Sequence, residues 1–514
     1  MSGSLSAVRV KVSPEVSPLQ IQGRDRDYGN VLWKLPHLLD LSYSELEEKN
    51  LEIKAERLKG VTSDQMKKRF INYLEEEKGV KAMTVCFSDL EGKLQTLDFD
   101  KKHILSAEDN LTFDGSSIKG FTKLAQSDLR LRIDWTSFRW VPSDIFGTGK
   151  VLVFANVCND DGSFYISDFR SQLAELCREL LEKDGMIVNV APEIEGFLFK
   201  GCKAEQAYDE KVGFELATMS GYFNSLPQDT LRLFIDKFAE VQRALGFQNE
   251  KDHPEVAPAQ FELNFRYSLA LDTADQIQLY KLLARQVAKS MGFTACFLPK
   301  PVAGLNGSGM HINMSLAKDG TNIFFDAKGK TNLSETAWKF ITGILANARD
   351  ICMLMNPSVN AYRRLDPNFE APNEIKVSAI DRGSMIRIPM GNEKSARVEV
   401  RTVAPDVNPY LCFYALIKAG LHGVNAGASA FEAMRAKVFD NEVGILPGSI
   451  YDALADFAAS EMMTEIMGEE NKEKYWSLKM NVAHRSPRDL GNRVKASEVL
   501  YHHEVSNQLI WGDF

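Results

Sequence analysis

The chain has 514 residues, of which 44% are hydrophobic and 25% charged, a composition typical of a globular protein large enough for two or more domains. Its formal net charge of −9, without a long Lys/Arg run, argues against general affinity for nucleic acid. No apolar run approaches about 18 residues, and the N-terminus lacks a basic segment followed by an apolar one, so neither a membrane span nor a secretory signal is predicted.

The seven cysteines are scattered, odd in number and without a C-x-x-C pair. This distribution is typical of reduced core thiols rather than of a disulfide framework or a zinc site. We therefore expect a cytoplasmic protein.

Residues 1–62 are predicted to be an N-terminal extension that is partly helical. Ser, Pro and charged residues dominate up to about Tyr28, and Ser44-Glu45-Leu46-Glu47 has the pattern of a capping box. The helix that it opens should end near Lys59. We expect this arm to pack on its own subunit or on a neighbour.

Residues 63–157 predict a small α+β domain. The pattern indicates a helix over 64–78, followed by strands over 82–87, 94–99, 129–134 and 151–156. Asp114-Gly115-Ser116-Ser117 lies between the second and third strands, and by composition alone it is simply a turn.

Residues 158–514 form a second, larger unit in which helices alternate with strands. Ser167 is a candidate cap for a helix that ends at Gly185. Further helices are predicted over roughly 228–245, 272–290, 335–354, 408–421 and 449–467, with a helical tail after them.

Four segments alternate polar and apolar residues, as strands with one polar face do. They are Ala191–Phe199, Gln260–Asn264, Gly309–Ser315 and Arg397–Arg401. In the last of these, two arginines and a glutamate share one face while two valines take the other. Together the segments predict a curved sheet whose concave side is a charged cleft.

The two glutamates Glu193 and Glu195 share one face of the first segment. A buried pair of like charges is costly unless a cation neutralises it, which favours metal binding. Taken alone, Arg397–Arg401 fits an exposed surface strand as well as a site, and His311 fits a hydrogen-bonded core histidine better than a ligand.

Taken together, the motifs between about residues 63 and 470 resemble those of the glutamine synthetase family, of the bacterial or archaeal type. Nine motifs follow one another in the family's order: Asp114–Ser117, Pro192–Glu195, Gly221–Phe223, Glu255–Glu262, Asn306–His311, Asn360–Leu365, Phe369–Pro372, Arg382–Arg387 and Arg397–Arg401. One nucleotide-site position, Asn313, is like the eukaryotic type.

The resemblance implies an α+β fold in which a small β-grasp domain precedes a large catalytic domain. The catalytic domain would contain a curved antiparallel sheet, a half-barrel, surrounded by helices. The family forms homo-oligomers, usually two stacked hexamers, in which the Asp-Gly-Ser-Ser turn of one subunit completes the cleft of its neighbour.

The activity implied is ATP-dependent ligation of ammonia to the γ-carboxylate of glutamate, through γ-glutamyl phosphate, giving glutamine, ADP and phosphate. Three alternatives are weighed: a ligase that uses a larger amine, a catalytically silent structural relative, and a phosphotransferase without ligation. A silent relative should have lost metal carboxylates or phosphate arginines, and a phosphotransferase would not need Asp114 and Tyr222.

The resemblance also assigns metal ligands. Glu195, Glu255 and Glu262 would form a first metal site, and Glu193, His311 and Glu399 a second. Oxygen-rich ligation with one imidazole suits Mg²⁺ or Mn²⁺ better than zinc.

The remaining roles are implied in the same way. The nucleotide would be bound by Tyr267, Asn313, Ser315, Arg387, Lys394 and Arg397. Glutamate would be held by Arg364, Arg401 and the Asn306-Gly307 loop, and ammonium by Asp114, Ser117, Tyr222 and Glu255. Arg382 would lie near the transferred phosphoryl group, Glu370 would belong to a flap that excludes water, and Asp114 would accept the proton of ammonium.

The chain departs from the family pattern at three places. His253-Pro254 stands where a pair of histidines is usual, and Asp381 where asparagine is common in the bacterial form. Around Val438–Leu446 the tyrosine segment that some bacterial enzymes adenylylate is not recognisable, so control by that modification is not expected.

Overall fold

The computed structural model describes residues 38–118, 120–122, 127–204, 214–223, 229–365 and 371–484. The predictions for residues 1–37, for Glu370 and for the tail beyond residue 484 lie outside the described residues. The division of the chain at residues 62 and 157 stays a prediction.

The helices follow one another in this order: α1 (Tyr43–Leu58), α2 (Ser63–Glu76), α3 (Lys101–Ala107), α4 (Ser143–Phe146), α5 (Phe169–Asp184), α6 (Thr230–Ala244), α7 (Ala270–Ser290), α8 (Glu335–Ala346), α9 (Ala348–Met355), α10 (Val359–Arg364), α11 (Pro409–Asn425), α12 (Ala428–Phe439), α13 (Ile450–Ala459) and α14 (Glu461–Ala483).

The strands are β1 (Ala82–Ser88), β2 (Leu94–Asp100), β3 (Leu111–Asp114), β4 (Asp128–Trp140), β5 (Lys150–Cys158), β6 (Met186–Lys200), β7 (Asn249–Pro254), β8 (Gln260–Phe265), β9 (Ser268–Leu269), β10 (Phe293–Cys296), β11 (Met310–Lys318), β12 (Thr321–Asn322), β13 (Glu374–Ser378), β14 (Ser384–Arg387), β15 (Val398–Val400) and β16 (Gly444–Ile445).

Helix α1 begins two residues earlier than the sequence predicted, because the capping box is formed by Ser42 and Glu45 and not by Ser44 and Glu47. Both serines precede a glutamate by three positions, so the pattern alone did not separate them. The helix is not a loose arm. Asn50 Nδ2 donates to the carbonyl oxygens of Trp140 at 2.9 Å and Ala244 at 2.7 Å, which ties α1 to both β4 and α6.

The small sheet has the strand order β2-β1-β5-β4-β3 among the described residues. β1 and β5 run parallel, and the other pairs are antiparallel. Helix α2 covers this sheet through Phe70, whose ring stacks on Phe138 with 4.0 Å between the centroids. The order places β3 at one edge, so the Asp114 turn that follows it lies at the rim of the domain.

The large sheet has the order β16-β13-β14-β15-β11-β6-β8-β7, with β9 and β10 also on β6 and β12 on β11. Its pairs are antiparallel except for β13 and β14, which run parallel. The sequence had led us to expect an antiparallel sheet, and this one parallel pair departs from that prediction. Helices of the same unit pack around it, with Phe238 of α6 and Tyr280 of α7 both fully buried.

Buried ion pairs join α1 and strand β4 of the small sheet to helices α5 and α7. Arg57 of α1 lies 3.3 Å from Asp272 and 3.5 Å from Asp275 of α7, and 3.7 Å from Asp134 of β4. Arg170 of α5 lies 2.8 Å from both Asp134 and Asp275. Because a buried charge without its partner is strongly destabilising, this cluster should fix the small domain against the large one.

Two helices predicted as continuous are broken in the structure. Asn347 separates α8 from α9, and its Nδ2 donates back to the Gly343 carbonyl at 2.7 Å. Ser460 separates α13 from α14 and caps the latter through the Met463 amide. In both cases a polar side chain satisfies the backbone groups that a helix end exposes.

The cap of α5 was predicted one residue too early. Asp168 accepts the hydrogen bond from the Arg170 amide, while the Ser167 hydroxyl donates to Asn471 Oδ1 at 2.6 Å. The predicted end of this helix is confirmed, since Gly185 closes it with a φ of +63°.

Candidate active site

The charged side chains predicted from the sequence lie on neighbouring strands of the large sheet. The register pairs Arg387 with Glu399, Glu399 with Asn313, His311 with Glu193, and Glu195 with Glu262. Directly paired residues of a sheet project from the same face. The predicted charged face is therefore present, and it crosses five strands from β14 to β8.

Glu193, His311 and Glu399 form the first of two groups whose possible ligand atoms all lie within 4.8 Å of one another. His311 Nδ1 lies 3.3 Å from Glu193 Oε2 and 3.8 Å from Glu399 Oε1. This is the trio that the sequence suggested for the second metal position. Two carboxylates and one imidazole are donors that a divalent cation can use.

Glu255 and Glu262 belong to the second such group, together with His253. The sequence had suggested Glu195 as the third member instead. Glu195 is nearby, since it pairs with Glu262 in the sheet, but its Oε2 accepts hydrogen bonds from the Gly309 amide at 2.8 Å and from Gln260 Nε2 at 3.3 Å.

The pKa values of the buried carboxyl groups diverge. Burial opposes the ionisation of Glu193, but the hydrogen bond and charge of His311, with a bond from Asn313, lower its pKa to about 2. Burial raises the pKa of Glu195, and burial together with Glu195, Glu193 and Glu255 raises that of Glu262 well above its usual range. A cation beside Glu262 would relieve this repulsion.

Two arginines hold Glu399, which is fully buried. Arg401 Nη1 donates to Glu399 Oε1 at 2.6 Å, and Arg387 Nη2 lies 2.7 Å from Oε2. Arg401 Nε also reaches the backbone carbonyl of Arg382 at 3.4 Å, while the Arg382 residue is exposed. The arginines expected at glutamate and phosphates thus meet at one carboxylate.

Arg364 lies beneath the glycine-rich segment that precedes β11. Its guanidinium donates to the carbonyl oxygens of Arg401, Thr402 and Val403 at 2.9 to 3.2 Å. A Cβ at Gly309 would lie 2.5 Å from Arg364 Nη2, so any larger residue there would force the guanidinium to shift. Burial lowers the pKa of Arg364 to about 10, although Glu195 acts to raise it.

A cavity of about 520 Å³ opens beside Glu193. Most of the predicted nucleotide residues line it, namely Tyr267, Asn313, Ser315, Lys394 and Arg397. The remaining one, Arg387, contacts Glu399 instead. Asn313 links the cavity to the first group, since its Nδ2 donates to Glu193 at 3.1 Å and its Oδ1 accepts from Arg397 Nε at 2.8 Å.

The four residues predicted for ammonium lie in two places. Asp114 is exposed and bonded within its own turn, where Ser117 Oγ donates to it at 2.6 Å and the bonds from Ser116 and Ser117 lower its pKa. Tyr222 is 46% exposed, and its ring lies 5.9 Å from that of His253, the neighbour of Glu255.

Two residues of the site were missed. Gln260 is buried and donates to Glu195, to the Gly307 carbonyl and to Ser308 at 3.1 to 3.3 Å, so it connects a carboxylate to the Asn306-Gly307 loop. Its alternation with Glu262 and Asn264 was the signal that could have found it. His253 was noted only as a departure from the family pattern.

No helix in the described part of the chain is long and apolar enough to cross a membrane.

Comparison with known proteins agrees with this architecture. The family profile described as "Glutamine synthetase, catalytic domain" matches residues 167–490, and "Glutamine synthetase, beta-Grasp domain" matches residues 79–160. A glutamine synthetase from Methanosarcina mazei is 36% identical over 416 residues, covering 78% of this chain and 91% of that protein. One from Staphylococcus aureus is 35% identical with the same coverage.

Solved structures show the same fold. The cryo-electron microscopy structure of Plasmodium falciparum glutamine synthetase has a TM-score of 0.73 at 20% identity, covering 84% of this chain and 98% of that one. A GmaS/ADP complex has a TM-score of 0.69 at 25% identity, covering 80% and 95%. The predicted α+β fold, a β-grasp domain followed by a half-barrel sheet flanked by helices, is confirmed.

Enzymes of this family are ligases that use ATP with Mg²⁺ or Mn²⁺, which confirms the predicted cofactor class, and the acidic groups of the sheet fit such cations. The two profiles, the relatives and the order of the motifs agree: the chain belongs to the glutamine synthetase family.

Proposed function

We propose that the protein ligates ammonia to the γ-carboxylate of glutamate, with ATP converting that carboxylate to γ-glutamyl phosphate. The observation that carries the proposal is the row of paired charged residues from β14 to β8, which lies beside the cavity at Glu193. A carboxylate is a poor electrophile, and phosphorylation supplies a leaving group. Phosphoryl transfer depends mainly on positioning and charge neutralisation.

Glu193, His311 and Glu399 would hold one divalent cation, and Glu255 and Glu262, with Glu195 close by, the other. When bound, such cations would neutralise negative charge on the phosphates during transfer. The low pKa of Glu193 keeps its carboxylate ionised, while the mutual repulsion around Glu262 favours a bound cation over an empty site.

The nucleotide would lie in the cavity with its phosphates towards Glu193. Arg397 and Lys394 line the cavity and Arg387 stands next to Glu399, so these cations would bind phosphate oxygens. Tyr267, Asn313 and Ser315 would contact the rest of the nucleotide. Arg382, exposed and joined to Arg401 through its carbonyl, would approach the transferred phosphoryl group.

Glutamate would bind where Arg364 and Arg401 meet the Asn306-Gly307 loop. The amine site would combine Tyr222 and Glu255 with Asp114 and Ser117 of a neighbouring subunit, because Asp114 lies on an exposed rim and its hydrogen bonds stay within its turn. We propose homo-oligomers of two stacked hexamers with shared sites. Glu370 would close the site, and its carboxylate would help exclude water.

An isotope experiment tests the reaction. Glutamate labelled with ¹⁸O in its γ-carboxylate should pass one labelled oxygen to the phosphate released from ATP when ammonium is present. This transfer requires that a γ-carboxylate oxygen attack the phosphorus and leave with it. Phosphate without ¹⁸O, despite ADP formation, would contradict a γ-glutamyl phosphate intermediate.

A ligase that uses a larger amine is the second candidate. It is favoured by the exposed aromatic pair Tyr222 and Phe223, whose ring centroids lie 3.9 Å apart beside His253. Aromatic faces attract alkylammonium ions. A compact pocket made negative by Asp114 and Glu255 would attract NH₄⁺, which supports ammonium as the principal substrate.

We also propose a cytoplasmic location. The seven cysteines are thiols in the structure, and five of them are buried. Reduced thiols of this kind are typical of that compartment.

A further inference from the structure

His253 stands at a rigid position in the second group of candidate ligands. It lies on β7 directly opposite Glu262 on β8, and Glu255 follows β7 immediately. His253 Nδ1 lies 3.8 Å from Glu255 Oε1, and Nε2 lies 3.8 Å from Glu262 Oε1. The next residue, Pro254, restricts His253 to an extended backbone, so the sheet rather than a loop places the imidazole.

The hydrogen bond to Pro254 defines which ring nitrogen carries a proton. His253 Nδ1 lies 2.9 Å from the Pro254 carbonyl oxygen, which can only accept, so Nδ1 must be the donor. In the neutral ring Nε2 then presents a lone pair towards Glu262. The Glu255 carboxylate is anchored at the opposite end, because its Oε2 accepts from the Val256 amide at 2.9 Å.

His253, Glu255 and Glu262 can therefore each offer one ligand atom within 4.8 Å of the other two, and the lone pair of His253 Nε2 lies 3.8 Å from Glu262 Oε1. Glu262 is only 5% exposed, so water does little to screen its charge. The 3.8 Å separations exceed hydrogen-bond length, so the His253 ring does not hydrogen-bond to either carboxylate. A cation between the three atoms would satisfy all of them.

We propose that His253 Nε2 is a direct ligand of the divalent cation held by Glu255 and Glu262. Each of the two cation positions then has one imidazole, His311 in one and His253 in the other. Because Mg²⁺ takes oxygen ligands, a nitrogen donor shifts the preference of this position from Mg²⁺ towards a transition-metal ion such as Mn²⁺.

The inference rests on the cation positions of the proposed function, but it can be tested without turnover. Mn²⁺ is added to the full-length protein without substrates, and ¹⁴N couplings to the bound ion are measured by pulsed electron paramagnetic resonance. Wild type, His253→Gln, His311→Gln and the double variant are compared. His103→Gln is the matched control, because His103 lies on α3 of the small domain and packs against Phe99.

We expect histidine coupling in wild type, in the control and in both single variants, and none in the double variant. His253→Gln should also weaken one class of Mn²⁺ sites by about 10–100-fold and lower the selectivity of that class for Mn²⁺ over Mg²⁺. His311→Gln is decisive even if His253→Gln fails to fold, because the nitrogen coupling that remains must come from a histidine other than His311.

Mn²⁺ bound to His311→Gln without any ¹⁴N coupling would overturn the assignment of His253. Unchanged coupling in the double variant would overturn it as well. Absence of bound Mn²⁺ from the wild-type protein would instead contradict the cation positions of the proposed function, so the two failures are distinguishable.

Discussion

Glu399 Oε1 accepts a hydrogen bond from Arg401 Nη1 at 2.6 Å, and the two residues stand two positions apart at the end of one strand. Arg387 approaches the other oxygen from the next strand, and His311 Nδ1 lies 3.8 Å from the first. Glu399 is fully buried. Its carboxylate therefore bridges two guanidinium groups, one at each oxygen, and also faces a cation position.

Replacing Glu399 tests these two roles separately. Glu399→Ala leaves the guanidinium groups uncompensated and should destabilise the fold by about 3–5 kcal/mol. Glu399→Gln keeps the volume and an acceptor oxygen, so it should fold better while it lowers Mn²⁺ affinity and activity by about 100-fold. Urea unfolding and Mn²⁺ titration measure the two effects. A Gln variant with wild-type metal affinity and activity would contradict the ligand role.

The Glu262 carboxylate should destabilise the metal-free protein and stabilise the protein when metal is added. Its pKa is raised in the folded state, so in the metal-free protein the stability that its neutral form contributes at low pH is lost as pH rises through the folded pKa. Glu262→Gln should therefore unfold at a higher temperature than wild type without metal. With Mn²⁺ at 100 times its dissociation constant, wild type gains about 2.7 kcal/mol and the ranking should reverse.

Exposed Glu473 of α14 provides the control for this experiment. Glu473→Gln should follow wild type with and without Mn²⁺. If Glu262→Gln were less stable than wild type under both conditions, Glu262 would serve the fold rather than a cation.

Asp134 should make stability fall at low pH. Burial would raise its pKa, but the charges of Arg170 and Arg57 outweigh burial and lower it well below the usual range. A depressed folded pKa gives stability that is present above the unfolded value of about 3.9 and is lost as pH falls through the folded value. Asp134→Asn should cost about 3 kcal/mol at neutral pH.

The difference in the free energy of unfolding between Asp134→Asn and wild type should shrink below about pH 4, because protonation of Asp134 removes its stabilising charge there. Urea unfolding at a series of pH values measures it. Exposed Asp109 provides the control, since Asp109→Asn should differ little from wild type. A difference that stayed constant with pH would show that the charge of Asp134 is not what stabilises the protein.

The polar faces of β6, β8, β11 and β15 could be predicted because each strand alternates, and alternation is local. Which strands are neighbours is not local. The pairing of Glu399 with Asn313 and Arg387 follows from the sheet order and could be expected only through the family resemblance. His253 was missed because Asn249–Pro254 is polar throughout and ends in proline, which gives no strand signal.

The helix errors have a similar origin. Periodicity predicted one helix over residues 335–354. It could not show that Asn347 would bond back to Gly343 and divide that helix in two. Likewise, serine is a residue type that often caps helices, yet the Ser167 hydroxyl donates a hydrogen bond to Asn471, more than 300 positions away. A local side-chain bond decided the first case and a tertiary partner the second, each between two local possibilities of similar free energy.

Asp114 should act in the cleft of a neighbouring subunit. Asp114→Ala and Glu399→Gln subunits, each nearly inactive alone, should recover activity when they assemble together. In randomly mixed rings with equal amounts of both, roughly a quarter of the sites would combine two intact halves. Mixed rings, verified by mass, that stayed as inactive as the parents would place Asp114 in the site of its own subunit or outside catalysis.

The most direct test of the central claim is an amine competition. The enzyme is given ATP, glutamate, Mg²⁺ or Mn²⁺, and equal concentrations of ammonium and methylamine, and the amides are quantified by mass spectrometry. We predict glutamine as the principal product, with kcat/KM for ammonium at least about 10-fold higher, as expected for one extra methyl group in a compact pocket. A predominance of the methylamide, or ATP hydrolysis without any amide, would contradict the assignment of the protein as an ammonia ligase.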